Sequence, residues 1–247
     1  MCGTVISRRS MSDDARAARR RRAPAEGRRA VRLVEFNLHP ARFAHRSWFG
    51  SLPGERTVSE AIFAAGGQVA RRCEPGLSGW LLQELGLQGE MDWEMRELPK
   101  RIWLLDGPAL ERLALEVALC MHREWLVRII DARHLRALYE QIDREAVRFV
   151  MQEVPEGAFH YKSPLVSFER DAPIDLADEL KDHGARTLLG LLLPTWRAVR
   201  VRATLHFDRA KALDNVPLLE PAHSRRALEL VCDRLIPRRF PQWAWCF

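Results

Sequence analysis

The histidines are the residues of this chain that could most readily bind a metal or exchange protons, and there are eight of them. No two are spaced as H-x-x-x-H or H-E-x-x-H, the patterns that place two imidazoles on one helical face. His122 lies within an apolar helical pattern. It would need a polar partner to act as a general base, but only one hydrogen bond to serve as a buried structural residue. We favour the structural role and predict no catalytic residue, metal site or cofactor.

Nucleophilic and phosphate-binding motifs are also missing from the sequence. Residues 76–79, Gly-Leu-Ser-Gly, have neither the G-x-S-x-G spacing nor the preceding strand of a nucleophile elbow. No glycine-rich loop opens a helix behind a strand, as phosphate binding requires. The cysteines are odd in number, widely spaced and without a C-x-x-C pair, which predicts reduced thiols in a cytosolic protein: Cys2, Cys73, Cys120, Cys232 and Cys246. We therefore predict that the protein is not an enzyme.

The positive charge is concentrated at the N-terminus. The net charge is +6, and the first thirty residues hold nine arginines against Asp13, Asp14 and Glu26, which accounts for the whole excess. We predict a disordered Arg-rich tail over residues 1–30, with Met11 as a possible alternative start. The tail could be an arm for nucleic acid or acidic lipid, or simply a solvated extension. Residues 31–247 balance to zero and are predicted to form a single mainly helical domain.

No apolar run is long enough to cross a membrane or to form the core of a secretory signal. A spanning helix needs about twenty apolar residues. The apolar stretch 188–193 is far shorter. No apolar run of signal-peptide length follows the N-terminal arginines either. We predict a protein without a transmembrane segment.

The stretch 110–127 predicts a buried helix around which the rest of the chain is organised. At 100° per residue, one face collects six apolar residues: Leu110, Leu113, Ala114, Val117, Ala118 and Met121. Leu115, Leu119 and Leu126 cover much of the opposite face, which leaves only a narrow polar stripe of Arg112, Glu116 and Arg123. Asp106 and Pro108 are typical of a helix start. A second, amphipathic helix is predicted from Asp131 to about Met151.

Other segments predict an α+β fold that is mainly α. Val199 to Phe207 alternate with polar residues, which predicts a strand over 199–208, and 31–38 could form another. Helices are predicted near 58–72, 78–87, 175–193 and 222–236, with a breaker at Glu74-Pro75-Gly76. The three prolines between 155 and 173 predict a long loop.

Two groups of residues are candidates for partner binding. Arg200 and Arg202 would share one face of the predicted strand, where they could contact an acidic partner or simply be solvated charges. Trp243, Trp245 and Phe247 lie in an uncharged C-terminal stretch. Aromatic residues anchor many interfaces, but a tail docked into its own domain would explain them equally well.

Three segments resemble the SctK (YscK) family of bacterial type III secretion systems, including its counterparts in plant-associated Hrp systems. Residues 36–40, Phe-Asn-Leu-His-Pro, continue through Phe43, His45 and Trp48 like the family's N-terminal motif. The second segment, 113–152, is similar to the family's central helical pair, with His122, Arg128, Leu135 and Leu138 in register. The third, 228–247, is similar to the family's C-terminus.

The resemblance implies a non-enzymatic cytoplasmic adaptor in the sorting platform, peripheral to the inner membrane. Such a protein joins the ring protein SctD to the pod protein SctQ, and through SctL it is connected indirectly to the ATPase SctN. A regulatory nucleic-acid binder acting through the Arg-rich arm is the alternative, although the neutral folded part makes nucleic acid an unlikely partner. Deleting residues 1–30 should abolish nucleic-acid binding in the alternative but spare secretion by an adaptor.

Overall fold

The structure is a computed structural model that describes residues 25–50, 67–128, 142–155, 176–212 and 219–247, with positions 136, 139, 140 and 216. Regular structure within these residues is helical throughout, so the mainly α prediction is confirmed. Its longer helices are α1 (25–38), α2 (Gly67–Glu84), α3 (Gly107–Met121), α4 (Arg123–Arg128), α5 (Arg144–Glu153), α6 (Leu176–Gly190), α7 (Arg197–Thr204) and α8 (Pro221–Glu229), and the single-turn helix near the C-terminus is α9 (Ile236–Arg239). Single turns occur at Pro40–Arg42, Arg46–Phe49, Leu98–Arg101, Ile102–Leu104 and Arg209–Ala212.

Both predicted β elements are wrong, because residues 31–38 and 199–204 are helical and residues 205–208 form turns. In α1 the buried residues Leu33, Phe36 and Asn37 recur at helical spacing, whereas Val34 is exposed. In α7 the buried residues are Ala198, Val199, Arg202 and Ala203, again a helical pattern. The alternation over 199–208 was misleading because Arg202, counted as an exposed residue, points into the core. The α+β class is therefore corrected to all-helical for the described residues.

Helix α3 lies at the centre of the main core, and α6 packs along it. Asp106 caps α3, its carboxylate accepting a hydrogen bond from the amide of Ala109 at 2.9 Å. The predicted helix 110–127 is divided at His122, after which α4 begins. Gly184 of α6 lies against the carbonyl of Ala114, where a methyl group would overlap the α3 backbone. The absence of a side chain at position 184 therefore lets the two helices approach closely.

Helix α2 runs through the predicted breaker at residues 74–76, with Pro75 inside it. The Glu74 carboxylate accepts hydrogen bonds from Ser78 at 2.8 Å and from Arg42 at 3.2 Å. Leu77 and Leu81 bury their side chains in a second apolar cluster with Trp48, Phe49 and Leu205. These contacts outweigh the local cost of proline. The predicted residues 58–66 and most of the predicted loop 155–173 lie outside the described part of the chain.

The C-terminal part continues from α8 through a π-helical segment, Leu230–Leu235, into α9. Pro237 follows this segment and cannot donate the usual helical hydrogen bond, so the wider π turn relieves its clash with the preceding turn. A 3-10 segment, Pro241–Cys246, then folds back onto the core, where Trp243 and Cys246 are buried. The end of the chain is thus docked against its own domain.

A charged junction joins α3, α5 and α9. Arg239 donates to both oxygens of Glu116, at 3.0 Å from Nε to Oε2 and from Nη2 to Oε1. Its Nη2 also donates to Asp143, the N-cap of α5, at 2.8 Å. Glu116 is only 1% exposed although it was counted in the polar stripe of the predicted helix. The pairing with Arg239 is what makes its burial tolerable.

Candidate partner-binding groove

A groove of about 790 Å³ opens between α1, the start of α3 and the C-terminal segment. We call it the Arg–Trp groove and define it by eight of its lining residues: Arg28, Val31, Arg32, Asp106, Arg112, Phe240, Trp243 and Trp245. Its volume falls within the range of ordinary ligand sites. Residues from near both termini of the described chain meet here.

Three arginines stack on three aromatic rings along the groove. The guanidinium carbon of Arg28 lies 5.3 Å from the ring centre of Trp245, that of Arg32 lies 5.0 Å from Trp243, and that of Arg112 lies 5.0 Å from Phe240. A cation–π contact places the charge over the ring face and uses no acceptor atom, so the contact itself leaves the guanidinium N–H groups available for hydrogen bonding. The groove therefore presents guanidinium N–H donors that lie over apolar aromatic rings.

The aromatic platforms are fixed by their own packing. Phe240 is 1% exposed and Trp243 is 8% exposed, and the amide of Trp243 donates to the carbonyl of Phe240 at 2.8 Å. Trp245 is only half-buried and lies 5.6 Å from Trp243, centre to centre. Trp245 is therefore the aromatic residue that a bound partner could cover further.

The three arginines differ in how far the protein already neutralises them. Arg32 contacts Glu35 at 2.7 Å and Asp106 at 3.7 Å, and Arg112 contacts Glu116 at 3.0 Å. Arg28 is exposed, and within the described part of the chain its guanidinium contacts no carboxylate. The unneutralised charge of the groove is thus concentrated at its Arg28 end.

A smaller cavity of about 240 Å³ adjoins the groove and shares Arg32 and Asp106 with it. His206 lines this cavity, stacked on Phe43 at 4.3 Å between ring centres. Both ring nitrogens of His206 are buried and have no hydrogen-bond partner among the described residues. Burial, with a smaller contribution from Arg32, lowers the pKa of His206 to about 3. The imidazole is therefore neutral at physiological pH.

The structure separates the five predicted partner-binding residues. Trp243 and Trp245 line the Arg–Trp groove, and Phe247 packs partly buried against the core beside them. Arg202 is 1% exposed, and its guanidinium donates to the carbonyls of Ala198, Asn37 and Leu87. Arg200 donates to the carbonyl of Leu193 at 2.9 Å, away from the groove. Arg202 thus has an internal role in joining α7 to the end of α1 and to the turn that follows α2.

Sequence reasoning missed Arg28 and Arg32, the arginines that complete the groove. Residues 25–30 had been placed in the predicted tail, but they form the first part of α1. The spacing of Arg28, Val31 and Arg32 puts them on one helical face, and this signal was present in the sequence. Their stacking on the C-terminal tryptophans could not be predicted, because it depends on contacts between residues far apart in the chain.

His122, the histidine within the apolar helical pattern, is buried at the end of α3. The Nε2 atom of His122 lies 2.9 Å from Nδ1 of His183 in α6. Burial, and secondarily His183, lowers the pKa of His122 to about 4. Among the described residues, no three His, Cys, Asp or Glu side chains are grouped as a metal site would require. None of the described helices has the length and apolar character needed to span a membrane.

A groove that combines arginines with aromatic rings is the kind of surface that proteins use to bind other proteins. The family model "YOP proteins translocation protein K (YscK)" matches residues 31–179, and the chain belongs to this family. It is therefore a type III secretion protein. No curated protein matches the chain, and no solved structure matches it. The family match includes most of α1, all of α3 and the beginning of α6.

Proposed function

We propose that the protein is a non-enzymatic cytoplasmic adaptor of a type III secretion sorting platform. In this role it would bind the cytoplasmic face of an SctD-type inner-membrane ring and an SctQ-type pod protein. The pod would link it indirectly to SctL and to the SctN ATPase. The observation that carries the proposal is the YscK family match over residues 31–179, which makes the chain a secretion-apparatus protein.

The Arg–Trp groove supports a role in binding rather than in chemistry. Its polar side chains are three arginines in cation–π contact with aromatic rings, Gln242, and Asp106, which caps α3. A general acid or base needs a group whose proton is exchangeable near neutral pH. Arginine keeps its proton under these conditions. Arginine and tryptophan are, in contrast, the residues that contribute most often to binding energy at protein interfaces.

An in-frame deletion tests the adaptor function in the bacterium. We expect the deletion strain to lose secretion of type III substrates and to lose the fluorescent foci of a tagged pod protein at the membrane. Complementation with the wild-type gene should restore both. Normal secretion together with normal foci in the deletion strain would overturn the proposal.

Co-purification tests the two partners separately. Affinity-tagged full-length protein should retain the SctQ-type pod protein and the cytoplasmic domain of the SctD-type ring protein when each is co-expressed with it alone. Folded full-length protein that retains neither partner would contradict an adaptor linking the two. A variant lacking residues 1–24 is the useful control for the Arg-rich arm, because it removes the arm without cutting into α1.

A further inference from the structure

The Arg–Trp groove has an unused binding capacity at its Arg28 end. Arg28 is stacked on Trp245, and among the described residues it has no carboxylate partner. The cation–π contact draws the Arg28 guanidinium towards the ring, so a bound carboxylate has less side-chain motion to order. The edge of the guanidinium can then hold both oxygens of a carboxylate in parallel hydrogen bonds.

The groove also offers apolar surface next to this charge. Val31 of α1 is 58% exposed, which is high for a large apolar side chain, and it lines the groove together with Trp245. Covering apolar area of this kind contributes roughly 25 cal/mol per Å². A ligand that combines a carboxylate with large apolar side chains would match both features at once.

We propose that the Arg–Trp groove binds a short acidic segment of a partner protein, with a carboxylate at Arg28 and apolar side chains against Val31 and Trp245. The inference deepens the adaptor function and rests on it for the identity of the partner. The binding itself involves only the groove and a peptide, so it can be measured without any secretion protein.

The charges in and around the groove favour a peptide over a polyphosphate chain. Asp106 lines the groove, and Glu35, which pairs with Arg32, lies beside it. These carboxylates would repel the closely spaced charges of a nucleic acid, whose affinity depends on several unpaired basic residues. Among the described residues, Arg28 is the groove arginine without a carboxylate partner, and one such arginine between apolar surfaces matches a single acidic side chain better.

Selection from a library of random displayed peptides, on immobilised full-length protein, tests the proposal. We expect the enriched peptides to share an Asp or Glu next to large apolar residues. A fluorescein-labelled copy of an enriched peptide is then titrated with each variant, and its fluorescence anisotropy gives the affinity. Failure to enrich any sequence, or enrichment of peptides without an acidic residue, would overturn the proposal.

Variants at Arg28 provide the decisive comparison. R28E should weaken peptide binding at least about tenfold, and R28K should weaken it less, because lysine keeps the charge but loses the planar fork. R226E is the matched control, since Arg226 is an exposed helical arginine outside the groove, and it should bind as the wild type does. Equal loss in R28E and R226E would assign the effect to overall charge and contradict a groove site.

W245A separates the stacking contribution from the charge. It removes the ring under Arg28 but keeps the charge, so we expect weaker binding. The loss of affinity relative to the wild type should depend less on salt for W245A than for R28E. Circular dichroism and thermal unfolding should show that each variant is folded. Peptide binding by a protein whose deletion leaves secretion normal would refute the adaptor function alone. Loss of secretion in the deletion strain, with no peptide bound by the purified protein, would refute the groove proposal alone.

Discussion

The Arg–Trp groove and the charged junction of α3, α5 and α9 use the same residue type for opposite purposes. At the junction, Arg239 is 13% exposed along its side chain and is bound on both sides by Glu116 and Asp143. In the groove, Arg28 lies open to solvent over Trp245. An arginine whose hydrogen bonds are satisfied within the chain fixes the architecture, whereas one held by stacking alone keeps its donors for a partner. Substitutions should therefore affect stability at the first site and binding at the second.

The largest loss of stability is expected at the close crossing of α3 and α6, which leaves no space for a side chain at position 184. Gly184→Ala places a methyl group against the carbonyl of Ala114, so α3 and α6 must move apart. Overpacking of this kind costs roughly 1–3 kcal/mol or more, and we expect the upper end because backbone is involved on both sides. Urea denaturation would measure the change in the free energy of unfolding.

Gly76→Ala is the control, because it makes the same substitution at a helical glycine that has free space around it. Gly76 lies inside α2, and a methyl group there would have no neighbour within 4 Å. Alanine should stabilise the helix by roughly 0.5–1 kcal/mol, because glycine has the greater conformational entropy when unfolded. Similar destabilisation by both substitutions would show that the helix crossing is not as close as the structure places it.

A somewhat smaller loss is expected from breaking the charged junction. Glu116→Gln keeps the shape of the side chain and one acceptor oxygen, but it removes the charge and leaves Asp143, which is half exposed, as the carboxylate that neutralises Arg239 among the described residues. Breaking a buried pair costs about 3–5 kcal/mol, and the remaining partner should reduce this to about 2–3 kcal/mol. Chemical denaturation gives the value directly.

The exposed pair between Arg148 and Glu145 is the matched control for this prediction. Both side chains are more than half exposed, so Glu145→Gln should change the stability by less than about 0.5 kcal/mol. Equal effects of E116Q and E145Q would mean that the junction contributes no more than a surface ion pair.

The sequence could reveal features that depend on neighbouring residues, but not features that depend on residues far apart in the chain. The cap at Asp106 and the apolar residues of α3 were correctly predicted, because they depend on neighbours in the chain. The burial of Glu116 could not be predicted, because its partner Arg239 is distant in sequence. The strand at 199–208 was wrong for a related reason: the burial of Arg202 depends on carbonyls of Asn37 and Leu87.

A moderate, pH-dependent effect is expected from His206. Its pKa is about 3 in the folded protein because of burial and, to a smaller extent, Arg32, whereas an unfolded histidine titrates near about 6.5. As the pH falls below about 6.5, the unfolded chain binds a proton that the folded protein refuses, so stability is lost. His206→Phe keeps an aromatic ring stacked on Phe43 and should reduce the slope of the free energy of unfolding against pH. Denaturation at a series of pH values would show an unchanged slope if the prediction is wrong.

The smallest effect on stability is expected in the groove itself. Arg28→Ala removes an exposed side chain, so the free energy of unfolding should change by less than about 0.5 kcal/mol. A loss as large as that of E116Q would mean that Arg28 belongs to the architecture, and the contrast between the two regions would fail. Thermal and urea unfolding of the same preparation would decide this.

The candidate site was only half visible in the sequence. Trp243 and Trp245 were chosen because uncharged aromatic residues anchor interfaces, and both line the groove. The assignment of residues 1–30 to a tail hid Arg28, since a high density of arginine is typical of disordered segments. Helix α1 shows that part of this arginine-rich stretch has a defined place in the fold.

The walls of the Arg–Trp groove include α1 and residues 240–247, which are separated by about 200 positions of chain and are therefore made at different times during translation. A ribosome-bound chain, or one that stops before the tryptophans, has α1 but lacks the opposing wall. Such unfinished chains could not compete for the groove's ligand, so only molecules translated through to the aromatic segment would enter an assembly that depends on this contact.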